Sequence, residues 1–347
     1  MANPPKPRVD IPLSAPGPGE FVDIAPGILW MRLPLPFQLN HVNIYLVEDG
    51  EGWAMVDTGV GDATSKAIWD RVLQDGLRGR KLTRIIATHH HPDHVGLVGW
   101  FSERLGLPVY TSETEFLLAS HYLRDPDAVH GSAHRAFYRR HGMSEDRAEA
   151  VVERGHRYKN LTTGLPRTFH RLSRGDHLIL GGRDFEIHTG AGHSSEQVML
   201  FCREEGIFLA ADQVLNRISP NISVNLMDPE GDPLDLYLRS LRELKAEIPA
   251  DVLTLPGHDM PFLTLHKRID ELSAHHEFRC QYILTACLST PRTTAEIVAE
   301  LFPKIQDPHQ MSFAFTEILA HMNLLARQGR LAWVDKGENW RASAKGD

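Results

Sequence analysis

The chain has 347 residues, an ordinary globular composition and a net charge of −8 at pH 7. This acidic balance argues against a general binder of nucleic acid or of anionic membranes. Cys202, Cys280 and Cys287 lack the paired spacing of a disulfide scaffold or a zinc finger, and no apolar run has the length of a membrane helix. We therefore expect a reduced, cytoplasmic protein.

The first β-rich part of the chain follows a proline-rich start. Residues 1–20 are predicted to form a flexible or wrapping arm. Beyond them, three β-rich runs are GILWMRL, HVNIYLVE and WAMVDTG, and the turn sequence DGEG predicts a hairpin between the second and third. The apolar spacing of residues 64–73 predicts a helix that leads into a central strand ending at Ile86.

A polar segment, THHHPDH, follows that central strand and precedes a helical pattern. Four histidines and one aspartate occupy residues 89–94. A loop cannot bury so many titratable groups without partners, and histidine is the commonest metal ligand in proteins. Pro92 favours a helix that begins after it, which places Asp93 and His94 at the helix N-terminus. The segment is therefore predicted to bind metal.

Residues 113–160 differ from the β-rich parts on either side. They show helical periodicity and no β-like run, so we predict an inserted helical cap over the site. Tyr122 and Tyr138 of this cap are candidate substrate-binding residues. Arg217 and Asn221, in the polar loop NRISPNISVN of the second β-rich half, are two further candidates.

The pattern becomes mainly helical from residue 266 to residue 347. Three helices and a final hairpin are predicted, an order that resembles a winged-helix domain. The third helix is predicted over residues 315–327, and Arg327 is the only Lys or Arg in it. A DNA-binding helix presents several basic residues to the groove. We expect this tail to pack in a homodimer or against the cap, and we do not expect it to bind nucleic acid.

The motif T-H-x-H-x-D-H resembles the signature of the metallo-β-lactamase superfamily. The family pattern continues with polar residues that each follow an apolar run, and Asp57, His193, Asp212 and His258 occur in that order. The resemblance covers about residues 21–265. It implies an α+β protein: an αββα sandwich over 21–265 with the cap 113–160 inserted. Some hydrolases of this fold carry a small, mainly helical winged-helix-like tail, here 266–347.

The resemblance also implies a binuclear metal site. One set of ligands is His89, His91 and His193, the other is Asp93, His94 and His258, and Asp212 bridges the two. Zn²⁺ is the expected metal, two ions per chain, with iron or manganese as alternatives. Asp93 is also expected to orient a metal-bridging hydroxide and relay a proton, and Asp57 to order the metal loop by hydrogen bonding.

The implied reaction is hydrolysis of a small acyl compound, as in the glyoxalase II and lactonase-like branch. Asp212 stands where one lactamase branch has a cysteine ligand, which disfavours that branch. His91 stands where flavodiiron proteins have glutamate, which disfavours an oxygen-reducing role. A thioester, an ester or a lactone is the expected substrate, and a β-lactam remains open. The alternatives are a phosphodiesterase or nuclease on the same metal site, and a DNA-binding regulator acting through the tail.

Overall fold

The computed structural model describes residues 14–125, 131–154, 158–335 and 337–345. Most of the predicted arm, parts of the predicted cap (126–130 and 155–157) and Lys336 of the predicted final hairpin lie outside these residues. Among the residues described, no helix is long and apolar enough to cross a membrane.

The strands are numbered in chain order. They are β1 (Val22–Ala25), β2 (Ile28–Pro34), β3 (His41–Asp49), β4 (Gly52–Val56), β5 (Lys81–Ile86), β6 (Val109–Thr111), β7 (His170–Arg171), β8 (His177–Leu180), β9 (Arg183–Gly190), β10 (Gln197–Cys202), β11 (Ile207–Ala211), β12 (Leu253–Pro256), β13 (Leu331–Asp335) and β14 (Arg341–Ala344).

The α-helices are numbered in the same way. They are α1 (Ala63–Gln74), α2 (Pro92–Val95), α3 (Val98–Leu105), α4 (Glu113–Arg124), α5 (Ser132–Arg140), α6 (Glu145–Arg154), α7 (Pro233–Glu247), α8 (Leu265–Ala286), α9 (Thr294–Leu301) and α10 (Pro308–Arg327).

The described strands form two large sheets and one small one. The first sheet has the order β1-β2-β3-β4-β5-β6-β7, antiparallel as far as β4 and parallel from β4 onward. The second has the order β12-β11-β10-β9-β8, in which only the β11–β12 pair is parallel. In the third, β13 pairs with β14.

The two large sheets pack face to face and helices cover their outer faces. Along β3, Tyr45 and Val47 face the core between the sheets, while Ile44 and Leu46 face the outer helices. A strand buried on both faces reads as a continuous apolar run, because successive side chains point to opposite sides. The predicted α+β fold, an αββα sandwich, is confirmed.

The cap helices α5 and α6 and the tail share one core with the outer face of the second sheet. Tyr138 of α5 packs edge to face on Phe315 of α10, with ring centroids 5.4 Å apart, and both belong to the cluster that contains Phe201 of β10 and Tyr237 of α7. The tail therefore packs on the cap and on the catalytic sandwich within one chain, and the alternative of a dimer contact stays a prediction.

Helix α10 begins earlier than the apolar pattern predicted. The prediction began at Phe315, whereas the helix starts at Pro308. Asp307 caps it by accepting hydrogen bonds from the backbone N–H groups of His309 and Gln310, and Pro308 at the first position has no N–H to satisfy. These capping residues lengthen the helix where its side chains are less apolar. The three predicted tail helices and the strands β13 and β14 are all present, and the likeness to a winged helix stays a prediction.

Candidate metal centre

The predicted ligands lie together at one edge of the sandwich. His89, His193, Asp212 and His258 come one to three residues after the ends of β5, β9, β11 and β12. His91 precedes the short helix α2, whose first turn carries Asp93 and whose last turn carries His94. The sheet order brings these strand ends together, as the pattern of apolar runs predicted.

The ligands form two groups. In the first group, one ring nitrogen each of His89, His91 and His193 lies within 4.8 Å of the others, and His89 Nε2 is 3.0 Å from His91 Nδ1. In the second, Asp93 Oδ2 is 3.4 Å from His258 Nε2 and 3.6 Å from His94 Nε2. The atoms of each group are not bonded to one another, and each group could hold a metal ion among its ligand atoms.

Asp212 joins the two groups. Its Oδ2 lies 3.4 Å from His193 Nε2, 3.5 Å from His94 Nε2 and 3.2 Å from His258 Nε2. The Nε2 atoms of His94 and His193 and the Oδ1 atom of Asp212 are buried, and no described residue gives them a hydrogen-bond partner. Buried polar atoms without partners are costly, and nitrogen and carboxylate donors are the ligands that divalent transition metals accept. The residues therefore fit the predicted metal pair.

In three of the ligand histidines, the side of the ring that faces away from the other ligands is held by the protein. Nδ1 of His94 is 2.7 Å from Asp57 Oδ2, Nδ1 of His193 is 2.9 Å from the Asn221 carbonyl oxygen, and Nδ1 of His258 is 2.7 Å from the carbonyl oxygen of His41. A proton on Nδ1 donates to each of these acceptors, which leaves the Nε2 lone pair for a metal.

Asp57 holds the loop that carries the motif. Its Oδ1 accepts from the Thr88 backbone N–H at 2.8 Å and its Oδ2 from the Thr88 hydroxyl at 2.9 Å, in addition to the contact with His94. Asp57 itself has a φ of 62°, a left-handed conformation that costs energy for a residue with a Cβ. These contacts support the ordering role that the resemblance implies for Asp57, and that role stays a prediction.

The carboxylates of Asp57, Asp93 and Asp212 favour positive charge on the histidines of the second group. Burial lowers the pKa of His258, but Asp212 and Asp93 more than offset this and raise it to about 10. Burial likewise lowers the pKa of His94, yet Asp212, Asp93 and Asp57 raise that pKa well above its usual value. Protons thus supply the positive charge when no cation is bound, and a metal ion replaces them on binding.

The first group of ligands is electrically different. Burial and the neighbouring histidines hold the pKa of His89 well below its usual value, and the same causes act on the pKa of His91. Both rings are therefore neutral at pH 7. A neutral imidazole is the form that binds a metal.

His90, between two ligands, points away from them. It contacts Glu115, with 2.6 Å between His90 Nδ1 and Glu115 Oε2, and it stacks on Tyr122. Burial raises the pKa of the Glu115 carboxyl, but His90, Ser194 and the backbone of Glu196 bring it down to about 2. The sequence analysis missed Glu115, whose only sequence signal was its place three residues after Ser112 at the start of a helix.

The four candidate substrate residues have different surroundings. Tyr122 lies on His90, with ring centroids 5.4 Å apart. Arg217 is exposed in the loop after Asp212, and Asn221 orients His193 through its backbone carbonyl. Tyr138 is buried against Phe315, and the structure does not bring it to the metal ligands. Tyr122 and Arg217 stay candidates for contact with substrate.

A buried asparagine also supports the site and was missed. Asn43 Nδ2 donates to the carbonyl oxygens of Pro256 and Asp259, on either side of His258, and its Oδ1 accepts from Trp30 Nε1 and Arg32 Nε. A lone amide in the apolar strand HVNIYLVE was the available signal. A buried amide needs such partners, and here they fix the loop of a ligand.

Another cluster in the tail contains potential ligands. His275, His276 and Glu317 place one potential ligand atom each within 4.8 Å of the others. The charge of Arg279 acts on all three side chains and lowers the pKa of both histidines, after the larger effect of burial. A second cation is disfavoured beside this guanidinium, and we assign no metal there.

Known proteins share both parts of this architecture. Residues 38–258 match the Metallo-beta-lactamase superfamily, and residues 280–341 match the family described as Metallo-beta-lactamase-like, C-terminal domain. The fold, the site and this match define a metal-dependent hydrolase, as the sequence predicted. The chain belongs to the metallo-beta-lactamase superfamily.

Three relatives illustrate the range of similarity. A solved beta-lactamase domain protein from Burkholderia ambifaria is 33% identical, with a TM-score of 0.87, and the match covers 97% of this chain and 98% of that chain. The Probable metallo-hydrolase YqjP of Bacillus subtilis (strain 168) is 22% identical over 86% of this chain and 92% of that protein. The Acyl-coenzyme A thioesterase MBLAC2 of Gallus gallus is 25% identical over 54% of this chain and 63% of that protein.

Proposed function

We propose that the protein is a binuclear metal-dependent hydrolase that cleaves a small acyl thioester. The position of Asp212 carries this proposal, since its Oδ2 lies within 3.5 Å of ring nitrogens from both ligand groups. A carboxylate shared in this way suits two ions held side by side. Zinc is the metal we propose first, because imidazole and carboxylate donors suit it, and iron or manganese would also accept this donor set.

The choice of a thioester rests on chemistry and on one relative. Thioesters, esters and lactones share hydroxide attack on a carbonyl followed by loss of a leaving group. The named activity of the chicken relative is that of an acyl-coenzyme A thioesterase, and its match spans about half of this chain. The proposal also includes lactones and esters, which we expect the protein to hydrolyse more slowly than the thioester.

The chain's own residues supply positioning and proton transfer. Two bound divalent ions would lower the pKa of water and stabilise negative charge on the carbonyl oxygen. Asp93 is the candidate to accept the proton from the attacking water and return it to the leaving thiolate. Burial raises the pKa of Asp93, but His94 and His258 hold it below its usual value, so the carboxylate is ionised and able to accept.

Substrate hydrolysis by the metal-loaded protein tests this proposal. The panel contains an acyl-coenzyme A thioester, the oxygen ester of the same acyl group, a lactone, a β-lactam and a phosphodiester. We expect the thioester to have the highest kcat/KM and Asp93→Ala to abolish its turnover while circular dichroism stays unchanged. Preferential turnover of the phosphodiester would instead support a phosphodiesterase, and an unfolded Asp93→Ala protein would give Asp93 a structural role.

A further inference from the structure

The first turn of α4 lies against both segments that carry metal ligands. Ser112, the N-cap of α4, donates from its hydroxyl to the carbonyl oxygen of Glu196 at 2.8 Å, and its Oγ accepts from the Glu115 backbone N–H at 3.3 Å. Glu196 lies three residues after the ligand His193. The start of the cap is therefore in direct contact with the second ligand segment.

Only half of the expected capping arrangement forms at this helix. The sequence Ser112-x-x-Glu115 is typical of a capping box, in which the glutamate side chain accepts from the N-cap backbone. Helix α9 has the complete arrangement, with Thr293 and Glu296 bonding reciprocally. In α4, both carboxylate oxygens of Glu115 instead contact the two ligand segments.

Glu115 bonds to each segment twice. Its Oε2 accepts from the His90 backbone N–H at 2.9 Å and contacts His90 Nδ1 at 2.6 Å. Its Oε1 accepts from the Ser194 hydroxyl at 2.5 Å and from the Glu196 backbone N–H at 2.7 Å. His90 stands between two ligands, and Ser194 directly follows His193.

These contacts are buried and act on the backbone. The side chain of Glu115 is 1% exposed, so water does not replace a lost acceptor without cost. A second cap residue holds the same ligand segment from its other side, since the Tyr158 hydroxyl donates to the His90 carbonyl oxygen at 2.7 Å. The backbone of His90 is thereby fixed at both its N–H and its C=O.

The geometry points to Glu115 as a positioning residue that sets the distance between the two ligand segments, so that the cap is part of the metal centre's scaffold. Loss of either acceptor oxygen removes both bonds from Glu115 to one segment, and so breaks its link between the segment that carries His89 and His91 and the segment that carries His193. The inference rests on the metal centre of the proposed function, and it does not depend on which acyl substrate is cleaved.

Glu115→Gln tests the inference with little change in size. Glutamine offers one acceptor oxygen where two are needed, and its amide N–H groups then face the backbone N–H of His90 or of Glu196. Glu296→Gln is the matched control, because Glu296 holds the same helical position in α9 but lies in the tail. Zinc affinity is measured by competition with a chelator, and the visible spectrum is recorded after loading with cobalt(II).

We expect Glu115→Gln to bind zinc roughly tenfold more weakly, the size typical for residues that orient metal ligands, and to shift the cobalt(II) absorption. Glu296→Gln should lower the melting temperature of the metal-free protein and leave both metal readouts unchanged. Ser194→Ala removes one of the four contacts of Glu115. If Glu115→Gln does not fold, the same two metal readouts are taken on Ser194→Ala, and we expect changes in the same direction. Wild-type affinity and spectrum in Glu115→Gln, or in Ser194→Ala if only that variant folds, would overturn the inference.

The proposed function fails on a different result. A wild-type protein that binds two metal ions but hydrolyses no acyl compound would contradict the thioesterase proposal. Metal titrations of wild type and of Glu115→Gln can still be compared in that case. Weaker metal binding by Glu115→Gln would then support the positioning role.

Discussion

Gly257 and Asp212 approach each other so closely that only a glycine fits. A Cβ built on Gly257 would overlap Asp212 Oδ1 and lie 3.1 Å from Cε1 of His94. Gly257 directly precedes the ligand His258, and its backbone N–H donates to the Ala211 carbonyl oxygen at 2.7 Å. The absence of a side chain at this position therefore lets Asp212 lie between the two ligand groups.

Gly257→Ala should displace Asp212 and weaken metal binding while the fold persists. Extra volume in a packed site costs roughly 1–3 kcal/mol of stability, and here the flexible group that moves is a metal ligand. Gly50→Ala is the control, since its left-handed φ of 61° costs about 1 kcal/mol in open space. Equal metal affinity in the two variants would show that the contact with Asp212 is unimportant.

Asp57→Asn should weaken metal binding roughly 10–100-fold, as expected for a residue that orients a ligating histidine. Asparagine tolerates the left-handed φ of Asp57, but it provides one acceptor oxygen for three donors. Isothermal titration with zinc measures the effect. We expect a smaller loss of folding stability than of metal affinity, and the opposite order would make Asp57 mainly a folding residue.

Metal binding should release protons at pH 8. The carboxylates raise the pKa of His258 to about 10, after the opposing effect of burial, so His258 carries a proton in the metal-free protein below that pH. A metal ion displaces this proton. The apparent affinity for zinc should therefore rise with pH up to about 10. Calorimetry in two buffers of different ionisation enthalpy counts the protons, and equal heats in both buffers would contradict this charge balance.

The tail should not bind DNA. Most residues of α10 are buried, among them Ile318, Leu319 and Leu325, so the helix has little free surface for a DNA groove. We expect no salt-sensitive shift of duplex DNA by the intact protein in an electrophoretic mobility assay. A shift that disappears when residues 266–347 are deleted would favour a DNA-binding regulator.

The same deletion tests the packing of the tail. It uncovers apolar side chains of the shared core, including Tyr138, which packs on Phe315 of the tail, and exposed apolar surface of this kind promotes association. We expect lower solubility or a higher oligomeric mass in light scattering. A soluble monomer of unchanged activity would mean that the tail neither covers nor shapes the catalytic part.

The clustering of the candidate metal ligands was predictable because their signal is local. His89, His91, Asp93 and His94 lie in one short motif, and each remaining ligand follows an apolar run that forms a strand. Asp57 was also predictable, since it follows β4 in the same way. In each case the strand end fixes the position of the polar side chain.

The supporting contacts were not predictable because they depend on distant parts of the chain. Glu115 bonds to residues 25 and 79 positions away, although its local sequence indicates only a helix cap. Asn221 acts through a backbone carbonyl, which has no side-chain signature. Tyr138 was predicted to contact substrate, but it packs on Phe315 of α10. The helical periodicity of the cap does not show which face of α5 turns toward α10.

Metal content of the reloaded wild-type protein tests the central claim most directly. Protein purified without chelator, loaded with zinc and freed of excess metal is measured by elemental analysis. We expect about two equivalents per chain, as in a two-metal hydrolase. Consistently less than about half an equivalent after reloading would contradict the binuclear centre.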